Sequence, residues 1–198
     1  MSPSTRGLSC AVLSAALLGC SASGVAQPVC ANASKWPLST ASNALVERAA
    51  AMNEASRTCQ LLEESRGATY LTFLVPSDPD GKPAIVALVA SASGKISEYS
   101  APLDAPTAKE MARNCEHAFA SVSTECRPPG SDGSWLHLFL PAPRGHYDMR
   151  SVWSPPTTAR AGRLVDLGAA ALNYAGATEE LRYVNWRTLQ RASAALGD

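Results

Sequence analysis

Three histidines, at 117, 137 and 146, are the side chains that titrate near neutral pH and the first candidates for acid–base or metal chemistry. Trp135-Leu136-His137-Leu138-Phe139-Leu140 alternates cleanly, as a half-buried strand does, so Trp135, His137 and Phe139 share one face and the leucines the other. If residues 141–145 form the hairpin loop, Leu140 pairs with His146, and His137 and His146 fall on opposite faces. A metal held by both would then need a β-bulge. His117 follows Cys115 by two on a helical segment, which turns the two side chains to different faces. Each histidine therefore reads as a structural or surface residue.

Nucleophile and phosphate motifs are equally sparse. There is no Gly-x-Ser-x-Gly elbow, and Gly130-Ser131-Asp132-Gly133-Ser134 has the wrong spacing for one. Asp78-Pro79-Asp80-Gly81 opens like a calcium loop, but its twelfth position is Val89 rather than Glu, so it reads as a hairpin turn. No Gly-x-Gly-x-x-Gly and no P-loop is present. Glu63 and Glu64, on a helix, would be neighbours rather than a facing acid/base pair. No cofactor and no metal is implied.

Six cysteines stand at 10, 20, 30, 59, 115 and 126. The last four, spaced by 29, 56 and 11 residues, contain no Cys-x-x-Cys pair of the kind zinc or dithiol chemistry uses. An even number in an oxidising compartment fits two disulfides. Three pairings are possible, and Cys30–Cys59 with Cys115–Cys126 is the one expected. Cys115 lies near the end of a helix from which the chain can double back, and Cys30 would staple the incoming segment to the first helix.

The elements that must position these residues follow from periodicity. Leu45, Ala49, Met52, Cys59 and Leu62 recur at helical spacing, which predicts a helix from Ser42 to about Arg66, stopped at Gly67. Strands are expected over Thr69–Val75, Ala84–Ala90 and Lys95–Ser100. A helix from about Pro106 to Val122 follows, capped by Asp104, with Met111, Ala112, Cys115, Ala118, Phe119 and Val122 as its buried stripe. Strands over Trp135–Leu140 and His146–Trp153, then helices over Thr158–Ala175 and Glu179–Leu196, close the chain. The order suggests one α+β domain: an antiparallel sheet of four or five strands packed by four helices.

Length and composition narrow the class. A chain of 198 residues holds one ordinary domain, and 46% hydrophobic residues exclude a disordered protein. Seventeen Lys+Arg against seventeen Asp+Glu leave no net charge, which argues against a nucleic-acid binder held by bulk electrostatics.

The opening residues carry an address. Arg6 supplies a positive region, and Leu8 to Leu18 form a short apolar core. As a helix that core covers about 16 Å, half the hydrocarbon thickness, so it is too short for a lasting span. Leu17-Leu18-Gly19-Cys20 resembles the lipobox of bacterial lipoproteins, with an apolar residue at −3, a small one at −1, and then cysteine. The resemblance implies a signal peptide over 1–19, a lipid group on Cys20 and a flexible tether over 20–29, leaving 30–198 as the domain. Ser21, in place of Asp, implies release from the periplasmic side of the inner membrane to the outer membrane. The rival cleavage site, Gly24-Val25-Ala26 before Gln27, would give ordinary secretion instead.

Trp135, His137 and Phe139, with Tyr147 and Trp153 nearby, are the residues nominated for binding another protein, because aromatic surface is typical of interface hot spots. If helices cover only the leucine face, this face is partly exposed. If the terminal helix carrying Trp186 packs over it, it is hidden. Arg160, Arg163, Arg182, Arg187 and Arg191 could meet anionic head groups or an acidic partner, but read first as a solvated helix face.

The function expected is that of a non-enzymatic periplasmic lipoprotein that binds another protein, such as an inhibitor or immunity-type protein neutralising a toxic enzyme. An accessory lipoprotein of an envelope or secretion assembly is the alternative, and gene neighbourhood separates the two. A periplasmic hydrolase would need a histidine, an acid and a serine converging on a pocket. A small-ligand carrier would need a deep apolar cavity between sheet and helices.

Overall fold

The computed structural model describes residues 38–52, 57–65, 68–75, 81–123, 133–141 and 147–197. Helix α1 (Thr40–Ala51) is followed by strands β1 (Thr58–Glu64), β2 (Thr69–Val75), β3 (Ala84–Ala90) and β4 (Ile96–Pro102), then helix α2 (Ala105–Ser121). Strands β5 (Trp135–Pro141) and β6 (Tyr147–Trp153) and helices α3 (Arg160–Ala175) and α4 (Glu179–Ala194) complete it. All neighbouring strands are antiparallel, in the order β4-β3-β2-β1-β5-β6. Among the described residues, the α+β architecture with four helices agrees with expectation, and the sheet has six strands rather than four or five.

The additional strand is β1, where a continuous helix from Ser42 to Arg66 was expected. Cys59, Gln60, Leu61 and Leu62 are four consecutive buried residues, which a helix with one buried stripe does not produce. A central strand covered on both faces does, since successive side chains enter opposite layers. Helical spacing therefore stops at Ala49 and Met52, and the continued match at Cys59 and Leu62 is coincidental. Glu63 and Glu64 accordingly leave the strand in opposite directions: Glu63 accepts from the Tyr70 hydroxyl, and Glu64 from Ser42.

Each sheet face has its own core. One is built from Leu61, Leu74, Ile85, Ala87, Leu136 and Leu138 against α2, α3 and α4. The other is built from Leu62, Leu71, Phe73, Val86 and Leu88, with Leu45 and Ala49 of α1 laid across β2 and β3. Asp104 caps α2 as expected, its carboxylate accepting from the Thr107 amide at 2.9 Å. At the far end of α2, Arg150 of β6 donates to the carbonyls of Phe119 and Val122 at 2.6 and 2.5 Å, tying the sheet edge to the helix end. Gly162 lets α3 start against the chain before it, because a Cβ there would lie 2.1 Å from the Pro156 carbonyl oxygen.

The disulfide described joins Cys59 to Cys115, with Cα atoms 5.5 Å apart. This replaces both expected pairs, Cys30–Cys59 and Cys115–Cys126. The reason is that residues 58–64 form a strand rather than a helix; a bulge at its start shifts the register with β2 between Thr58 and Leu61, and Cys59 takes a left-handed φ of 54°. Cys59, two residues from Leu61, enters the same core as Leu61, where Cys115 of α2 is fully buried. Cys30 and Cys126 lie outside the described residues.

Candidate functional site

The lateral rows of β1, β5 and β6 assemble one polar and aromatic surface. Glu64 pairs with Trp135, which pairs with Trp153; Leu62 pairs with His137, which pairs with Ser151; Gln60 pairs with Phe139, which pairs with Met149. Since paired residues project to the same side, all nine share the face that carries α1. The alternation read for residues 135–140 holds, with Leu136 and Leu138 in the opposite core. The β5–β6 register differs from expectation: Pro141 pairs with Tyr147 and Leu140 with Asp148, not with His146, so residues 142–146 form the connection. His146 lies outside the described residues.

The five nominated side chains divide. His137 and Phe139 are core residues, 1% and 8% exposed. Trp135, Tyr147 and Trp153 keep part of their surface. The Trp135 ring stacks on His137 at 5.8 Å and meets Trp153 edge-on at 5.2 Å. Backbone bonding at this corner, from Ser154 N to Ser134 O at 2.8 Å, holds the two strand ends together. Gly133 is required there, since at φ 151° a Cβ would stand 2.7 Å from the Trp153 ring and 2.0 Å from Ser154 Oγ.

The helix carrying Trp186 does not cover these aromatics. Trp186 packs against Tyr174 at 5.6 Å, within the core on the other side of the sheet. The part of the face over β2 and β3 is taken by α1 instead. Of the arginines singled out, Arg163 turns inward to donate to the Ala195 carbonyl at 2.6 Å, whereas Arg160, Arg187 and Arg191 are exposed. His117 is exposed on α2 and Cys115 buried, on different faces as expected.

A serine, a histidine and a carboxylate do converge. His137 Nδ1 lies 2.8 Å from Ser151 Oγ, and its Nε2 lies 3.8 Å from Glu64 Oε2. Glu64 accepts from Ser42 Oγ at 2.6 Å, and Ser42 is bonded in turn to Ser39, the N-cap of α1. Burial drives the His137 pKa down to about 4, against the upward pull of the Glu64 charge, so the ring is neutral at pH 7. Ser151 is fully buried, which keeps its hydroxyl from a substrate carbonyl, and the carboxylate and serine sit on the ring nitrogens opposite to those a serine hydrolase uses. The network ties α1 to the sheet rather than presenting a nucleophile.

Three residues of this face carry no signal in the sequence. The helix expected over this segment gives Arg57, Gln60 and Glu64 no role, yet Arg57 and Gln60 are 8% and 5% exposed. Only recognition of β1 as a strand would have found them. A groove of about 760 Å³ lies elsewhere, beside α2, with Leu74, Pro106, Lys109, Arg113 and Glu116 in its walls. Among the described residues no cluster of His, Cys, Asp and Glu could hold a metal ion, and no helix is long and apolar enough to cross a membrane. The turn read at Asp78–Asp80 and the lipidation position Cys20 lie outside the described residues. Comparison with protein-family models, with curated proteins and with solved structures finds no match.

Proposed function

We propose that this chain is an exported envelope lipoprotein, held at the outer membrane through Cys20, that works by binding another protein in the manner of an inhibitor or immunity protein neutralising a toxic enzyme. The observation that carries the binding reading is the partly exposed Trp135–Trp153 pair, in edge-on contact at 5.2 Å, with Tyr147 partly exposed on the same face at the other end of the edge strand β6. Rigid aromatic side chains of this kind bury much area at small entropic cost, which suits an interface anchor. The lipobox-like Leu17-Leu18-Gly19-Cys20 supports the anchor, and several acyl chains on one cysteine would suffice for stable attachment.

The test has two arms. Mature protein is used to capture partners from envelope extracts, beside Trp153→Ala and Tyr147→Ala. A stoichiometric protein held by the wild type and lost with either variant supports the reading; no partner, or capture indifferent to both variants, refutes it. Separately, Cys20→Ser is expected to move the protein from the membrane to the soluble fraction, and unchanged fractionation would remove the lipid anchor from the account.

A further inference from the structure

Alternation breaks at the β1 bulge, so Arg57, two residues before Cys59, lies on the opposite face from it. There its guanidinium carbon lies 5.7 Å from the Phe73 ring centre and 6.0 Å from that of Tyr147. The side chain is 8% exposed, and among the described residues Nε and Nη1 have no hydrogen-bond partner. No ion pair to a described carboxylate is found for it. Gln60, three residues along and on the same face, is 5% exposed, and its Nε2 donor is likewise without a partner among the described residues.

Among the described residues, Nε and Nη1 of this buried cation meet only ring faces, and a second donor on the same face, Gln60 Nε2, is also unpartnered, so the guanidinium lacks what it ordinarily requires. Desolvating a charge is costly unless an opposite charge and hydrogen bonds replace the water, and two rings replace only part of it. Natural cores avoid this arrangement unless the charge is used. The shortfall matches one ligand chemistry. An oxyanion brings negative charge and lone pairs to the guanidinium and accepts from the amide, while flanking aromatic rings keep the guanidinium plane oriented. Carboxylate Glu64 is occupied by Ser42 and faces His137, so it does not serve.

We infer that Arg57 and Gln60 form a receiving site for an oxyanion, a carboxylate or phosphate group, approached past the half-exposed Tyr147 ring at the end of the sheet where β6 begins. The group comes either from a small free acid or from an acidic side chain of a partner protein. The site stands on its own geometry and survives if the protein-binding reading fails.

The test follows two signals by NMR in the mature protein: the side-chain Nε–H of Arg57 in the wild type, and the side-chain amide of Gln60, which the Arg57 variants retain. Sodium acetate, sodium phosphate and a peptide rich in Asp and Glu are titrated in turn, with sodium chloride at matched ionic strength as the reference. A saturable shift with an oxyanion and none with chloride is expected. Response to acetate or phosphate identifies a free-acid site; response to the peptide alone identifies a partner's side chain. Arg57→Met is expected to weaken binding by about tenfold to a hundredfold, with Arg57→Lys intermediate. The methionine variant is also expected to unfold at a temperature no lower than wild type, because an uncompensated buried charge has been removed. Absence of any saturable shift in the wild type overturns the site, whether or not the variants fold. A shift that persists unchanged in Arg57→Met overturns it as well.

Discussion

His137 Nδ1 and Ser151 Oγ lie 2.8 Å apart on neighbouring strands, and the two residues are 1% and 0% exposed. A histidine so placed titrates differently in the folded and unfolded chain. Its folded pKa, about 4, lies below the 6.5 of the unfolded side chain, so between these values the unfolded state binds more protons. The stability it contributes is fully present above pH 6.5 and is lost as pH falls toward 4. The shift corresponds to about 3 kcal/mol across that window. Urea unfolding at pH 7, 5.5 and 4 measures it, beside His137→Gln. The wild type should lose stability more steeply than the variant; parallel curves would show that His137 is not protonated on unfolding.

The Cys59–Cys115 bridge makes a different prediction. It spans a separation of 56 residues, for which loop-closure entropy gives about 4 kcal/mol of stabilisation. Cys115→Ser should lower the unfolding free energy by an amount of that order, read in denaturant without reductant. Non-reducing peptide mapping should recover the fragments containing Cys59 and Cys115 as one species. With those two joined, Cys30 and Cys126 are the remaining downstream pair, and the mature protein should show no free thiol among the four. Two free thiols would leave the second bridge without support.

Gly133→Ala tests the aromatic corner. The new methyl group would meet the Trp153 ring and Ser154 Oγ well inside contact distance, in a backbone conformation that side chains rarely adopt. The expected cost is about 1–3 kcal/mol, with a change in tryptophan fluorescence as the Trp135–Trp153 pair opens. If the surface around Trp153 is the binding face, the same variant weakens partner capture while the far core, and with it most of the circular dichroism signal, is retained. An unchanged fluorescence spectrum would show that the corner adapts without moving the rings.

Much of the architecture is written in local chemistry. Asp104 announces the start of α2 because a cap needs only its own side chain and the amide three residues on. Trp135 to Phe139 announce their strand because alternation is a property of consecutive residues facing two environments. The order of later helices and strands was legible for the same reason. Of the candidate site, Trp135, His137 and Phe139 could be placed on one strand face, with Tyr147 and Trp153 nearby.

Their environment could not. Sequence by itself determined which segments have a face to bury, along with the short apolar leader and its cysteine. Only the tertiary structure decided that residues 58–64 form a strand with helices on both sides, a setting in which periodicity disappears and a strand resembles a helix. That decision carried Cys59 to Cys115, Arg57 to Phe73 and Tyr147, and Glu64 to Ser42 and His137. Each of these meetings joins residues far apart along the chain, and a contact closed across tens of residues leaves no trace in the neighbours of either partner.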